Sequence, residues 1–109
     1  MRYRVTKTIE VAGAHRLALP YESACGNLHG HNWLVSVTCE SDKLDANGMV
    51  LDFTAISRIV KRLDHVNLND LVEQPTAENI GRWLLDQIPL AVSVTVQESA
   101  GNVAEVHRV

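Results

Sequence analysis

The first residues of the chain alternate between two faces. One face carries the mostly apolar odd positions, namely Tyr3, Val5, Lys7, Ile9 and Val11, while the even positions from Arg4 to Glu10 are polar. A period of two is typical of a half-buried strand, which we predict over residues 2–12. Residues 31–40 alternate in the same way and predict a second strand, paired antiparallel with the first. Residues 16–30 between them are rich in Gly, Pro, Ser and Asn, and predict a long loop of the kind that often carries function.

The middle of the chain changes to a helical period. After a turn at Asn47-Gly48, apolar side chains recur at helical spacing at Phe53, Ile56, Ile59, Val60 and Leu63. They predict a first helix that is capped by Asp52 or Thr54. A second apolar stripe predicts another helix, which begins at a Thr76 cap and is stopped by Pro89.

The end of the chain returns to alternation. Val92, Val94 and Val96 share one face of a third strand, predicted over roughly residues 90–98, and a fourth strand is predicted over residues 102–108. The order of elements is therefore β-β-α-α-β-β, which indicates an α+β fold in one domain spanning residues 1–109.

Charge and cysteine usage narrow the function classes. The net charge is −3 and no basic patch is visible, which argues against a nucleic-acid partner. No apolar run approaches membrane-spanning length, and the N-terminus lacks the apolar core of a signal peptide. Two cysteines, Cys25 and Cys39, do not make a disulfide framework, so we expect a reducing cytoplasm.

Three histidines are the strongest chemical signal. His29 and His31 are two residues apart, so on an extended backbone both rings point the same way, and Gly30 between them permits close approach. His15 joins them if the first hairpin brings the end of strand one beside the start of strand two. Three imidazoles are a common way to hold a catalytic Zn²⁺ with an open fourth position. The alternative is that these are unrelated polar residues at strand ends.

Cys25 lies four residues before His29 and is a candidate for acid–base or nucleophilic work. Its spacing also permits a fourth metal ligand, which would close the site and make it structural. Cys39 lies too far along the strand to reach the same metal, and we interpret it as a small buried apolar residue.

The pair Asp64 and His65, and the single residue Glu98, each allow both a functional and a non-functional interpretation. Asp64 and His65 follow the first helix and could form a proton relay, although a surface His is the simpler alternative. Glu98 keeps the parity of Val94 and Val96, so its carboxylate is expected on the buried face, where it needs a partner such as two adjacent N–H donors. An exposed Glu at the strand end is the alternative. Thr76 is first of all a helix cap.

These residues belong to an ordered set of short motifs that covers nearly the whole chain. The most specific is CGNLHGHN at 25–32; the others are AHRL at 14–17, GMVLDF at 48–53, LDH at 63–65, LN at 68–69, PTAEN at 75–79, and Glu98. Together they resemble the 6-pyruvoyltetrahydropterin synthase family. The resemblance implies the tunnelling fold, in which each subunit supplies a four-stranded antiparallel sheet with two helices on one face. The resemblance further implies that trimerisation closes a barrel and that two trimers stack into a homohexamer.

The resemblance also implies roles for individual residues. The zinc ligands would be His15, His29 and His31, and Cys25 would be the catalytic thiol. Asp64 and His65 would form the relay that acts on that thiol across a subunit interface. Glu98 would grip the pterin ring, and Thr76 lies in a segment that contributes to the same pocket.

The implied substrate is 7,8-dihydroneopterin triphosphate, and two branches of the family share this apparatus. One eliminates triphosphate and yields 6-pyruvoyltetrahydropterin. The other yields 6-carboxytetrahydropterin, acetaldehyde and triphosphate, on the route to 7-deazaguanines such as queuosine, and the compact loops here look more like this branch. A non-catalytic zinc-stabilised oligomer that binds a pterin or purine is the competing interpretation, and it needs neither Cys25 nor His65.

Overall fold

Two long antiparallel strands form the centre of the structure, a computed structural model that describes residues 1–109. Strand β1 spans Tyr3–His15 and strand β2 spans His29–Ser41. They pair without interruption from Tyr3 opposite Ser41 to His15 opposite His29. Both strands extend beyond the predicted ends at residues 12 and 31. The extensions carry His15 and His29, so they decide the geometry of the candidate site.

The sheet contains five strands and is mixed, so the expectation of four antiparallel strands was wrong on this point. Strand β3, Val66–Asn67, pairs parallel with Gly13 and Ala14 of β1. Strand β4 spans Ala91–Ser99, strand β5 spans Asn102–His107, and the spatial order is β3-β1-β2-β4-β5. A strand of two residues shows no period in the sequence, so the alternation of apolar and polar residues could not reveal it.

The start of β4 also differs from the prediction. Ala91 pairs with Cys39 and Ser93 pairs with Thr38, so Val92 is an extra residue in a β-bulge. Val94 and Val96 are fully buried as predicted, but Ala91 replaces Val92 at the next buried position. A bulge shifts the parity of every residue on one side of it, and alternation in the sequence alone does not reveal it.

The helices form where the apolar period predicts them. Helix α1 spans Phe53–Val60 and is capped by Asp52, whose carboxylate accepts the Thr54 N–H at 2.8 Å. Leu63 follows in a 3₁₀ turn and not in the helix itself. Helix α2 spans Ala77–Gln87, and the hydroxyl of Thr76 accepts the Asn79 N–H at 3.1 Å, which confirms the predicted cap.

Both helices contribute to one core that also includes one face of the sheet. The fully buried residues of this core include Ile56, Val60, Ile80 and Leu84 from the helices, and Trp33, Val35, Val37, Val94 and Val96 from the strands. The opposite face of the sheet is polar. There the hydroxyls of Thr6 and Thr38 lie 3.0 Å apart, those of Thr8 and Ser36 lie 2.9 Å apart, and Arg4 pairs with Glu40 at 2.8 Å. No helix is long and apolar enough to cross a membrane.

Candidate metal centre and adjoining pocket

The hairpin of β1 and β2 brings the three predicted histidines together. His15 and His29 are direct cross-strand partners, and His31 lies two residues further along β2 on the same face. The ring centroids of His15 lie 4.6 Å from those of His29 and 5.3 Å from those of His31, and the His29 and His31 centroids are 4.9 Å apart. The spacing in the sequence therefore leads to the convergence that was expected from it.

Backbone carbonyl groups orient two of the rings. His15 Nδ1 lies 2.7 Å from the Pro75 carbonyl, and His29 Nδ1 lies 2.6 Å from the Asn27 carbonyl. Because a carbonyl oxygen only accepts hydrogen bonds, each Nδ1 must carry the proton, so each neutral ring has a lone pair at Nε2. The two Nε2 atoms lie 3.0 Å apart. Two lone pairs facing each other at this distance repel unless a proton or a metal ion lies between them.

Glu98 provides a fourth donor at the same point. Its Oε1 lies 3.3 Å from His15 Nε2 and 3.5 Å from His31 Nε2. One ligand atom from each of the four residues can be chosen so that all lie within 4.8 Å of one another. Ligand atoms of a tetrahedral Zn²⁺ site with bonds of ~2.0–2.1 Å are about 3.3 Å apart, so the donor set fits such an ion with little movement.

Burial of His15 favours a metal over a proton in this cluster. The side chain of His15 is 0% exposed, and this burial lowers its pKa below the ordinary value for histidine. The neutral ring is the form that binds metals. Three imidazoles and a carboxylate therefore make a candidate site for a divalent cation, and nitrogen-rich tetrahedral sets of this kind suit Zn²⁺.

Trp33 supports the cluster from the core. Its ring meets those of His15 and His31 edge to face, with centroids 4.9 Å and 5.3 Å apart. Its Nε1–H donates to the Gly13 carbonyl at 3.0 Å, which fixes the indole against both strands. Trp33 lies in the alternating segment 31–40, and a period of two does not indicate which rings it contacts. Contacts made by backbone carbonyls, such as that of Pro75, leave no signal in side-chain identity.

Cys25 lies beside the cluster and not in it. It occupies a 3₁₀ turn, Ala24–Gly26, in which the Cys25 N–H donates to the hydroxyl of Ser23 at 3.2 Å. Its thiol is free and half-buried, and it is not among the four candidate ligands. Glu98, and not Cys25, therefore holds the position beside the histidines that the sequence had left open to the thiol.

A pocket of about 400 Å³ joins three of the predicted site residues. It is lined by Cys25, Thr76 and Glu98, together with Leu17 and the turn between β4 and β5. These residues come from the long loop, the cap of α2 and the end of β4, so only the folded chain brings them together. The pocket opens beside the histidine cluster because Glu98 belongs to both.

Asp64 and His65 form a second pair of predicted site residues, outside the pocket that Cys25 lines. Their side chains are joined by a 3.0 Å contact between His65 Nδ1 and Asp64 Oδ1. The same Asp64 oxygen accepts the Ala12 N–H at 2.8 Å, and the His65 N–H donates to the Ala12 carbonyl at 2.6 Å. His65 is 81% exposed and lines a pocket of about 550 Å³ that does not include Cys25. Within one chain, His65 and the Cys25 thiol therefore line different pockets.

Asp64 is expected to stabilise the fold in a pH-dependent way. The Ala12 N–H and then His65 hold the pKa of Asp64 below its ordinary value. A depressed pKa contributes stability that is present above the unfolded pKa and lost as the pH falls through the folded pKa. In metal-free protein, Asp64→Asn should therefore unfold at lower urea than wild type near neutral pH, and the difference should shrink in acid.

The measurement is the urea midpoint from about pH 7 down to about pH 3, which brackets the carboxylate range. Asp70→Asn is the control, because Asp70 is exposed and its side chain makes no hydrogen bond or ion pair. A difference that stays constant with pH would show that the Asp64 charge does not carry the effect.

Comparison with known proteins agrees with this geometry. A family model described as 6-pyruvoyl tetrahydropterin synthase matches residues 4–109. The solved structure of 6-pyruvoyl tetrahydropterin synthase from Caenorhabditis elegans superposes with a TM-score of 0.78, covering 100% of this chain and 97% of that one. At 22% sequence identity, that likeness establishes the fold.

Curated relatives carry several enzyme names. The chain is 32% identical to 6-carboxy-5,6,7,8-tetrahydropterin synthase of Synechocystis over 92% of this chain and 89% of that protein. It is 45% identical to an Archaeoglobus fulgidus protein provisionally given the same name, over 58% of this chain, and 38% identical to dihydroneopterin monophosphate aldolase of Pyrococcus furiosus, over 56%. The chain spans about half the length of these two archaeal relatives, with 57% and 55% covered. The match over residues 4–109 places this chain in the 6-pyruvoyl tetrahydropterin synthase family.

Proposed function

We propose that the chain is a zinc-dependent lyase that converts 7,8-dihydroneopterin triphosphate and water to 6-carboxytetrahydropterin, acetaldehyde and triphosphate. The observation that carries the proposal is the histidine cluster with a thiol-bearing pocket directly beside it. The Synechocystis relative, which aligns over most of both chains, bears the name of this activity. The proposal includes a cytoplasmic location and a place on the route to 7-deazaguanines.

The pocket residues have distinct roles in this proposal. Glu98 accepts two adjacent N–H groups of the pterin ring, which fixes the ring's orientation. The segment at Thr76 forms the wall at the start of α2. When bound at His15, His29 and His31, Zn²⁺ supplies Lewis-acid chemistry that acidifies the hydroxyls of the substrate side chain and the neighbouring C–H bonds.

Cys25 is the group that transfers a proton within the substrate. As a thiolate it removes a proton from the acidified side chain of the substrate and returns it at another carbon. Its place on the pocket wall, outside the ligand set, leaves the sulfur free for this work. Asp64 and His65 modulate the thiol from a neighbouring subunit, because within one chain His65 lines a pocket that does not include Cys25.

The sheet edges favour the association that this relay requires. Strand β3 covers β1 only at Gly13 and Ala14, so most of the outer edge of β1 is unpaired, and β5 forms the other edge of the sheet. Closing such edges against other copies removes exposed backbone donors and acceptors. We propose that three subunits close a barrel in this way and that two trimers form a homohexamer.

Product analysis tests the reaction. Metal-loaded protein incubated with 7,8-dihydroneopterin triphosphate should release acetaldehyde and triphosphate together. Triphosphate without acetaldehyde would point to the 6-pyruvoyltetrahydropterin branch instead. The monophosphate is assayed in parallel, because one relative is named for it. Cys25→Ala should lose turnover by at least about 100-fold while keeping its metal, since acid–base groups contribute roughly 10²–10⁴ in rate.

Cys39→Ala is the matched control, because Cys39 is the other free cysteine and lies buried in the core. It should keep its turnover. Full activity in Cys25→Ala would remove the catalytic role and favour a non-catalytic pterin-binding oligomer. Loss of metal from Cys25→Ala would instead make the cysteine a structural ligand.

Removing one histidine tests the metal centre itself. His29→Ala should reduce bound zinc to well below one ion per subunit, because it removes one of three imidazole donors. The measurement is elemental analysis after dialysis against metal-free buffer. His107→Ala is the control, since His107 is exposed on β5 and its contact is with Glu105. Equal zinc in wild type and His29→Ala would overturn the assignment.

Mixing two inactive variants tests the shared site. If the relay acts across an interface, Cys25→Ala and His65→Ala subunits should complement each other after joint refolding. Random mixing in equal amounts gives about a quarter of the sites one intact copy of each residue, so about a quarter of wild-type activity should return. Light scattering checks for a hexameric mass. No recovery in correctly assembled mixtures would place both residues in one subunit's site.

A further inference from the structure

Glu98 occupies an unusual position on its strand. Gln97 pairs with Val103 and Ser99 pairs with Asn102, so Glu98 is the extra residue of a β-bulge where β4 meets β5. Bulges turn a side chain away from the regular direction and are frequent beside active sites. Here the turned side chain lies between the histidine nitrogens and the pocket that Cys25 and Thr76 line.

The carboxylate of Glu98 is incompletely compensated. It is 27% exposed, it makes no ion-pair contact except to His15 and His31, and it forms no other side-chain hydrogen bond. The neutral His15 ring has a lone pair at Nε2 and cannot satisfy it, and the only other contact, to His31 Nε2, is 3.5 Å long. A carboxylate in this position needs either a cation or strong hydrogen-bond donors. The cluster offers a place for the first, and the pocket offers a place for the second.

We propose that Glu98 exchanges between the two: it is the fourth metal ligand in the substrate-free protein, and it leaves the metal to bind the pterin ring. The inference rests on the proposed function, because it uses the metal centre and the pterin pocket assigned there. Both positions lie within reach of one side chain, since Glu98 already contacts the histidines and lines the pocket. This exchange would free the fourth coordination position of the metal only when the pterin ring is bound to Glu98.

This exchange makes metal and pterin compete for one carboxylate. A bound pterin ring should weaken metal affinity, and by linkage a bound metal should weaken pterin affinity by the same factor. A carboxylate that only anchors the ring would leave the two affinities independent. The sign of the coupling therefore separates an exchangeable ligand from a simple anchor.

The experiment measures Zn²⁺ affinity by competition with a chromophoric chelator, with and without saturating pterin. The probe is the bare pterin ring, which lacks the side-chain hydroxyls that could themselves bind the metal. Pterin should weaken the Zn²⁺ affinity of wild type by about tenfold, within the usual range of coupling between sites. Glu98→Gln should bind Zn²⁺ about tenfold more weakly than wild type without pterin, and pterin should then change nothing.

Glu105→Gln is the matched control. Glu105 lies on β5 and contacts a histidine, His107, at 3.3 Å, as Glu98 contacts His15 at 3.3 Å, but it belongs to no metal cluster. It should behave as wild type in both titrations. Equal Zn²⁺ affinity in wild type and Glu98→Gln would overturn the exchange. It would also be overturned if pterin does not bind to wild type, or if it binds and leaves the Zn²⁺ affinity of wild type unchanged.

Turnover of dihydroneopterin triphosphate is followed in the same preparations. Normal turnover without the coupling would overturn the exchange and leave the proposed function intact. Coupling without turnover would support the exchange and contradict the proposed reaction. The absence of any Zn²⁺ binding to wild type would overturn both, and it is recognised by elemental analysis before the titrations begin.

Discussion

The pairing register of β1 with β2 is the constraint on which the candidate site depends. His15 faces the metal cluster because it lies directly opposite His29, and a slip of one residue would turn its ring to the other face of the sheet. Polar pairs such as Thr6 with Thr38 on one face, and buried apolar residues on the other, fix that register along the hairpin. The same contacts that stabilise the sheet therefore position the donors.

Hydrogen bonds to the histidine rings then determine that the cluster can bind a metal ion. The carbonyls of Pro75 and Asn27 hold the protons of two rings at Nδ1, so lone pairs gather at one point beside the Glu98 carboxylate. Such a cluster is unfavourable by itself and favourable around a divalent cation. Trp33 packs against two of the histidine rings and thereby keeps them from moving apart. The packing of the core therefore contributes to metal affinity, because it holds the donor rings in place.

The candidate catalytic residues lie in two different regions of the subunit. Cys25, Thr76 and Glu98 share one pocket with access to the metal centre, whereas Asp64 and His65 are held on the far edge by β1. The unpaired edge of β1 lies near that second place, so association through this edge would bring the relay of one copy toward another copy. The open sheet edges and the divided site both favour an oligomer as the functional unit.

The sequence by itself determined the two helices, the four longer strands and the candidate histidine set, because periods of two and of 3.6 residues and the spacing of His29 and His31 are local properties. It did not determine β3, the bulges at Val92 and Glu98, or the hydrogen bond from Ala12 to Asp64. Nor did it show that Glu98, and not Cys25, lies against the histidines. Those features depend on register between strands that are distant in the chain, so only the tertiary structure decided them.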